Sequence, residues 1–461
     1  MFGFTSILRG RLLLVAMVLL SFACSNSEAP DFQSPPIIIF DIDTLRADHL
    51  GCYGYDRDTS PNIDTFAESA AVFEWTFAQG PNTPPSQTSI LTSLYPSSHG
   101  RVVNNDVVAE EAETLAEVLS SAGYRTAAFV DGGQMAAGFG LEQGFEIYDD
   151  DGGGIEKIWP KVSAWIDRGL QSSAKPPAPF LLLIHCYDVH SPYEITPWRF
   201  RDRFVPDLSE VPPVSFSGRM SEVMAKTWKA RDEDPPPQLG PTKLEYAKAM
   251  YDGGIRHVDA RFGEMVRTLK ENRLFNQSII VVISDHGDSF QEHGALFHEQ
   301  IYSPVTRIPM IIRFPESRLS GRLDPVVESI DLMPTLLDYT AIAIPETAQG
   351  RSLLPMLKGE EWTPKFAITE SPYRGRRLGA ASELFRLLLT KKPDESELFN
   401  YREDPLEQRD LTRTHHDQTR DLRLALEEWQ EKVSATQWKK SKAGPLDSRT
   451  LKQLKVLGYI D

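Results

Sequence analysis

The sequence predicts an α/β fold: one large, mostly parallel sheet sandwiched by helices, followed by a small C-terminal α+β lobe. Three observations predict it. Four short apolar runs without alternation, Pro36–Ile42, Phe180–Cys186, Ser278–Ser284 and Ile308–Phe314, read as strands buried on both faces. Helical patterns lie between them, the order expected of strands that run parallel. After about residue 345 the pattern changes to short strand-like runs and one further helix.

Residues 1–23 read as an export signal. Arg9 and Arg11 precede the apolar run Leu12–Ala23, which is too short to span a bilayer comfortably. Ser21-Phe22-Ala23-Cys24, followed by Ser25-Asn26, resembles a bacterial lipoprotein processing site, although a branched apolar residue is expected where Ser21 stands. Residues 24–35 then read as a tether. The expectation is an exported protein, periplasmic or at the cell surface, joined to a membrane through lipid on Cys24. Residues 36–345 are expected to form the main domain and 346–461 a small subdomain.

The strand Pro36–Ile42 ends in acid and leads into a Gly- and Tyr-rich loop, Thr44–Asp58. Ser60-Pro61 starts a helix with a cap and a first-turn proline. Helices follow at Pro85–Leu94, at Glu111–Ala122, which stops at Gly123, and at Ile155–Leu170; Tyr124–Val130 reads as a strand. Residues 204–242, with Pro235-Pro236-Pro237, form a long excursion, either a lid or a surface loop. Leu244–Asn272 is a long helix and Leu332–Tyr339 a short one. In the lobe, Phe366–Thr369, Leu384–Thr390 and Leu398–Tyr401 read as strands and Asp417–Val433 as a helix.

The chain of 461 residues is 41% hydrophobic, which gives it a sizeable core. Its net charge of −16 argues against nucleic acid as a partner and leaves an anionic small molecule open. Of its three cysteines, Cys24, Cys52 and Cys186, the last two are compatible with a disulfide in an exported protein, but no pairing can be read from sequence.

The chemistry concentrates at the strand ends. The first run ends at Asp41 and Asp43, the second at His185, Asp188 and His190, the third at Asp285 and His286; His293 and His298 lie a short loop further on. Sites in open α/β sheets lie beyond the carboxyl ends of the strands. Mixed Asp and His suit zinc or manganese better than calcium or magnesium, which prefer oxygen alone. The stretch Asn82–Ser93 reads as a loop that turns into a helix, with Thr83 at or just before the N-cap and Pro84 or Pro85 in the first turn. A helix start suits a tetrahedral oxyanion, and a hydroxyl held there beside a metal is a candidate nucleophile. An ordinary capping Thr reads the same way.

Asp43-Thr44-Leu45-Arg46-Ala47-Asp48-His49-Leu50-Gly51-Cys52-Tyr53-Gly54, the Thr83 stretch ending in Leu91-Thr92-Ser93-Leu94-Tyr95-Pro96, and Ser284-Asp285-His286-Gly287 resemble the sulfatase family of the alkaline phosphatase superfamily. Gly123-Tyr124-Arg125-Thr126, Arg307-Ile308-Pro309 and the ending Leu454–Ile460 extend the resemblance over nearly all of the chain after the signal. The departures matter. Sulfatases carry Cys or Ser, oxidised to formylglycine, then any residue, Pro, any residue and Arg. Here Thr83, Pro84, Pro85, Ser86 and Gln87 stand in those places. A Thr cannot yield that aldehyde, because its carbinol carbon bears a methyl group. Asp131 stands where the family carries Lys, and Thr44 where it carries a second Asp.

The resemblance therefore implies a metal-dependent hydrolase. Its phosphoryl-transfer branch, in which an unmodified Thr is the nucleophile, is the first expectation. Phosphate mono- or diester cleavage through a covalent Thr83 intermediate is read ahead of sulfuric ester hydrolysis, phospho-group transfer to a glycan or lipid, or silent surface binding. On that resemblance Asp43, Asp285 and His286 would surround one divalent metal with Thr83. Asp188, His190 and His298 are candidates for a second metal, and His190 or His298 for acid–base work on the leaving group. Asn104, Asn105 and Gln87 are candidate substrate contacts.

Overall fold

A computed structural model describes residues 34–170, 178–193, 196–201, 203–205, 238–298, 300–363, 365–372, 377–389, 395–434, 441–457 and 459. The signal, most of the tether, Cys24 and most of the 204–242 excursion lie outside the described residues. No helix among the described residues is long and apolar enough to cross a membrane.

Eight strands form the main sheet. In spatial order they are Gly321–Glu328, Ala71–Phe77, Arg307–Arg313, Ile279–Ile283, Ile37–Ile42, Phe180–Cys186, Arg125–Phe129 and Ile147–Asp149. The central strand Ile37–Ile42 runs parallel to both neighbours, which places Asp41 beside His185 on one side and Ile283 on the other. Side chains alternate across the sheet. Ile38, Phe40 and Ile42 pack under the helices Ile155–Leu170 and Pro241–Glu271, through Trp165, Ile255 and Phe262. Ile37 and Ile39 pack on the other face under the helices Thr83–Thr92 and Leu332–Tyr339. The expected helix–sheet–helix sandwich is the observed one.

The sheet departs from expectation at one side. Arg307–Arg313 runs antiparallel to both its neighbours. Ala71–Phe77 and Gly321–Glu328, not expected as strands, complete that side. Glu74 interrupts the apolar run of the first; Asp324 and Pro325 sit in the second, an edge strand where proline is tolerated. The helix expected over Glu111–Ala122 is shorter, Leu115–Ser121, and opens on a capping box between Thr114 and Glu117.

The small lobe is a four-stranded antiparallel sheet, Ala367–Ser371, Arg377–Ala381, Arg386–Leu389 and Ser396–Phe399. Leu378, Ala380, Leu387 and Leu398 pack against Leu422, Leu426 and Trp429 of the helix His416–Ser434. The segment expected as one subdomain, 346–461, divides in two. Its last part leaves the small sheet: Ser441–Lys442 pairs with Asp106–Val107, and the helix Ser448–Val456 packs on the turn Gly133–Met135 of the main body. Cys52 and Cys186 are free thiols.

Candidate active site

Three segments converge at the carboxyl end of the central strands. Asp43 stands just past the strand Ile37–Ile42, and its N–H donates to the Cys186 carbonyl at 3.1 Å. Thr44 next to it adopts φ 57°. A left-handed conformation strains a β-branched residue, and such strain is held only where the surroundings over-determine it. Here they do: Thr44 N–H donates to Asp285 Oδ1 at 3.2 Å, and its carbonyl accepts from the buried Tyr251 hydroxyl at 2.7 Å. Asp285 Oδ1 also accepts from His286 N–H at 2.8 Å. Gly287 is required after them, since a Cβ there would lie 2.5 Å from the Pro304 carbonyl oxygen.

Thr83 is the first residue of its helix, one place inside the cap expected for it, and Asn82 holds the cap position. Pro84 and Pro85 donate no N–H, and Ser86 N–H goes to the Asn82 carbonyl. The helix start thus offers an oxyanion at most the Thr83 amide. The Thr83 hydroxyl is fully buried. It donates to Asp43 Oδ2 at 3.1 Å and lies 3.4 Å from His286 Nε2 and 2.9 Å from the Tyr459 hydroxyl.

Asp43, Asp285 and His286 offer ligand atoms that all lie within 4.8 Å of one another. His286 Nδ1 donates to the Gly287 carbonyl at 3.0 Å, which leaves Nε2 as the lone-pair nitrogen facing the cluster. Asp43 Oδ1 and Asp285 Oδ2 are buried without a hydrogen-bond partner. Asp41 lies beneath them on the Thr83-helix face, with the Gln87 amide against it. Burial and the charge of Asp285 push the Asp41 and Asp43 carboxyls well up. Burial works against Asp285 too, but His286, His185 and the Thr44 N–H hold it below its ordinary value. Three buried carboxylates this close cannot all stay ionised without positive charge among them. Orphaned carboxylate oxygens, a lone-pair imidazole and crowded negative charge are the donor set of a divalent cation, and they fit one.

The other candidate residues take different places. Asp188 turns away from the cluster: Oδ2 accepts from Ile155 N–H at 2.8 Å, at the start of the helix Ile155–Leu170, and Oδ1 faces His257 Nδ1 at 3.2 Å. A helix start attracts a carboxylate, and this one has it. His190 and His298 stand outside the carboxylate cluster, with ring centroids 5.1 Å apart; the His298 ring is 4.7 Å from that of His286. His190 Nδ1 donates to the Ser191 carbonyl at 2.6 Å, so Nε2 faces the Tyr459 hydroxyl, 3.3 Å away, as an acceptor. Burial and His298 hold His190 down at about 3. His185 Nε2 is 3.4 Å from Asp43 Oδ2, and burial holds it at about 4. His293 stacks on Tyr302 away from the site. Asn104 Nδ2 donates to the Tyr459 carbonyl at 3.3 Å. Asn105 is exposed, and its carbonyl accepts from Ala443 N–H.

Two residues of the site were not foreseen. Asp288 Oδ1 pairs with His298 Nδ1 at 2.7 Å while Oδ2 accepts from Tyr193 at 2.8 Å. The Asp-His-Gly-Asp spacing was the available signal. Tyr459, 376 residues from Thr83, had only the family-like ending to mark it.

Comparison with known proteins gives the family and the fold. The family model "Sulfatase" matches residues 35–342, and "N-sulphoglucosamine sulphohydrolase, C-terminal" matches 291–435. An arylsulfatase of Clostridium perfringens is 28% identical over 386 residues, 71% of this chain and 79% of that protein. A solved structure in complex with its substrate D-glucosamine-2-N,6-O-disulfate superposes with TM-score 0.68 at 19% identity, over 87% of this chain and 99% of that one. A phosphonate monoester hydrolase of Agrobacterium radiobacter has the same fold, with TM-score 0.68 at 16% identity over 89% and 100%. A family match across well over half of the sequence, on a fold shared along nearly the whole of both solved chains, makes this protein a member of the sulfatase family.

Proposed function

We propose that the protein hydrolyses an ester of a tetrahedral oxyanion carried on a sugar or similar small molecule, using Thr83 as nucleophile and one divalent cation. The observation that carries this is the buried Thr83 hydroxyl between Asp43, His286 and the imidazoles of His190 and His298. The relatives weigh for a sulfuric ester: the arylsulfatase and the disulfated-glucosamine complex support that class better than the phosphoric ester first expected from the residue substitutions. One observation favours the phosphoric ester as a second reading. Thr83 cannot become the formylglycine whose hemiacetal form expels sulfate as it collapses to the aldehyde, and Gln87 and Asp131 replace two cations of the family pattern. The phosphonate monoester hydrolase shares the fold with either reading.

Asp43, Asp285 and His286 would hold the cation, zinc or manganese by donor type. When bound, it supplies positive charge that lowers the hydroxyl pKa of Thr83 and neutralises the oxyanion. The chain's residues do the rest. Asp43 accepts the Thr83 hydrogen bond and directs a lone pair of Oγ outward. Oγ passes its proton to Asp43 and forms a bond to sulfur or phosphorus as the ester bond to the alcohol breaks. The departing alkoxide takes a proton from the imidazole side, where His298 is oriented by Asp288. Water then passes a proton to the His298 imidazole and attacks the sulfur or phosphorus on Thr83; the oxyanion leaves as Asp43 returns the proton to Oγ. The cation, the export signal and the lipid on Cys24 belong to this reading as expectations for the intact protein.

The test is a comparison of initial rates on p-nitrophenyl sulfate, p-nitrophenyl phosphate and bis-p-nitrophenyl phosphate with metal-loaded protein and its Thr83→Ala variant. Turnover that falls at least about 1,000-fold in the variant supports the nucleophile, and the preferred ester names the class. Activity surviving Thr83→Ala overturns the covalent route.

A further inference from the structure

Esters of this kind present terminal oxygens that only accept hydrogen bonds, and the family pattern meets them with Arg and Lys. Here those places hold Gln87 and Asp131. Gln87 is a buried, uncharged amide, and Asp131 is a carboxylate that accepts from the N–H groups of Gly153, Gly154 and Tyr187, so neither brings positive charge to Thr83. With Pro84 and Pro85 following Thr83 in the first turn, that helix start offers at most the Thr83 amide as a donor.

One donor enters from a distant part of the chain. After the small lobe, Ser441–Lys442 joins Asp106–Val107 as a strand pair. Asp447 then caps the helix Ser448–Val456 by accepting from Thr450 N–H at 2.7 Å. The helix is fastened to the main body at two points: Gln453 Oε1 accepts from Gly133 N–H at 3.3 Å, and Arg449 pairs with Asp150 at 2.7 Å. The fit is close, since a Cβ on Gly132 would lie 2.4 Å from the Gln453 side chain. Beyond the helix the Tyr459 ring joins Ala136, Phe139 and Leu454 in a small apolar cluster. Asn104 holds its carbonyl. Ring and backbone are thus tied, and the hydroxyl alone reaches the reacting centre, 2.9 Å from Thr83 Oγ1 and 3.3 Å from His190 Nε2.

We propose that Tyr459 is a catalytic residue that donates its phenol hydrogen to a terminal oxygen of the sulfate or phosphate group held at Thr83. The assignment rests on the Thr83 reading above. A terminal oxygen of a group attacked by Oγ lies one atom beyond Oγ, within reach of a phenol already at hydrogen-bond distance from it. In the free protein the same hydrogen has His190 Nε2 and Thr83 Oγ1 as takers, so no buried donor is left unmade. When the ester binds, the bond is exchanged for one to an anionic oxygen, the stronger kind. The donor is positioned beforehand by the docked helix, which is what makes an oxyanion contact effective. The phenol is neutral, so it partly replaces the missing cations without binding the free anion as tightly as Arg would.

The experiment is orthovanadate binding, followed by titration calorimetry on the metal-loaded protein and on Tyr459→Phe, with ester turnover measured beside it. The Phe ring keeps the apolar cluster, so an unchanged thermal midpoint is expected. Vanadate binding about 10-fold or more weaker in Tyr459→Phe, with kcat lower by about 100-fold, supports the assignment. Equal or tighter binding in the variant overturns it, and tighter binding would make Tyr459 a plug rather than a donor. Failure of the unaltered protein to bind vanadate also overturns it. Vanadate mimics both anions, so a protein that binds vanadate through Tyr459 yet cleaves neither ester would refute the hydrolase reading alone.

Discussion

In the proposed reaction Asp288 acts through another side chain. It fixes the His298 tautomer by accepting from Nδ1, and Tyr193 fixes Asp288 in turn. A carboxylate that orients an imidazole is felt mainly in turnover. Asp288→Asn is expected to lower kcat by about 100-fold with KM nearly unchanged, and adding His298→Ala to cost little more, because the two form one unit. Full additivity of the two losses in a double-mutant cycle would show that they act separately. At this scale the sequence was half legible. Asp43, Asp285 and His286 stood out because each follows an apolar run. Asp188 looked the same on paper, yet its carboxylate is spent on a helix start, a use that depends on which backbone N–H groups arrive beside it. Asp41 was visible at its strand end, but not its complete burial behind Asp43 and Asp285, which only the fold sets.

Around the helix Ile155–Leu170 two carboxylates share a crowded end. Asp188 receives Ile155 N–H, and Asp131 receives Gly153, Gly154 and Tyr187. Burial, then the charge of Asp188, raises Asp131 to about 6. Between about pH 4 and 6 the native protein therefore keeps a proton that the unfolded chain has released. Native stability falls as pH rises through that window and returns as pH falls. Relative to Asp131→Asn, the unaltered protein should gain up to about 3 kcal/mol between pH 7 and pH 4, read from urea midpoints. A gap that stays flat would mean that Asp131 remains ionised throughout. Elements were the most legible scale: the four continuous apolar runs are all strands. Those missed, Ala71–Phe77 and Gly321–Glu328, lie towards the side where Glu74, Asp324 and Pro325 break the apolar signature. Nor does an apolar run state its direction, which is why the antiparallel course of Arg307–Arg313 was not foreseen.

For the molecule as a whole, the cation site couples binding to folding. The ligand atoms of Asp43, Asp285 and His286 are gathered only in the native state, so a cation that satisfies them stabilises that state alone. Zinc or manganese at 100 times its Kd should add about 2.7 kcal/mol and raise the thermal midpoint, and chelation should reverse the shift. Asp285→Asn should abolish the cation response; a response that persists would place the cation elsewhere. The fold class was legible from alternation alone, and its small lobe from the change in pattern. That the segment after the lobe crosses back to the main body was not, because Ser441–Lys442 and the Ser448–Val456 helix carry too little apolar surface to name their partner in advance. That return has a practical side. An affinity tag or fused reporter joined after residue 461 would begin two residues from Tyr459, whose hydroxyl lies 2.9 Å from Thr83 Oγ1, and is expected to slow ester turnover relative to the untagged protein.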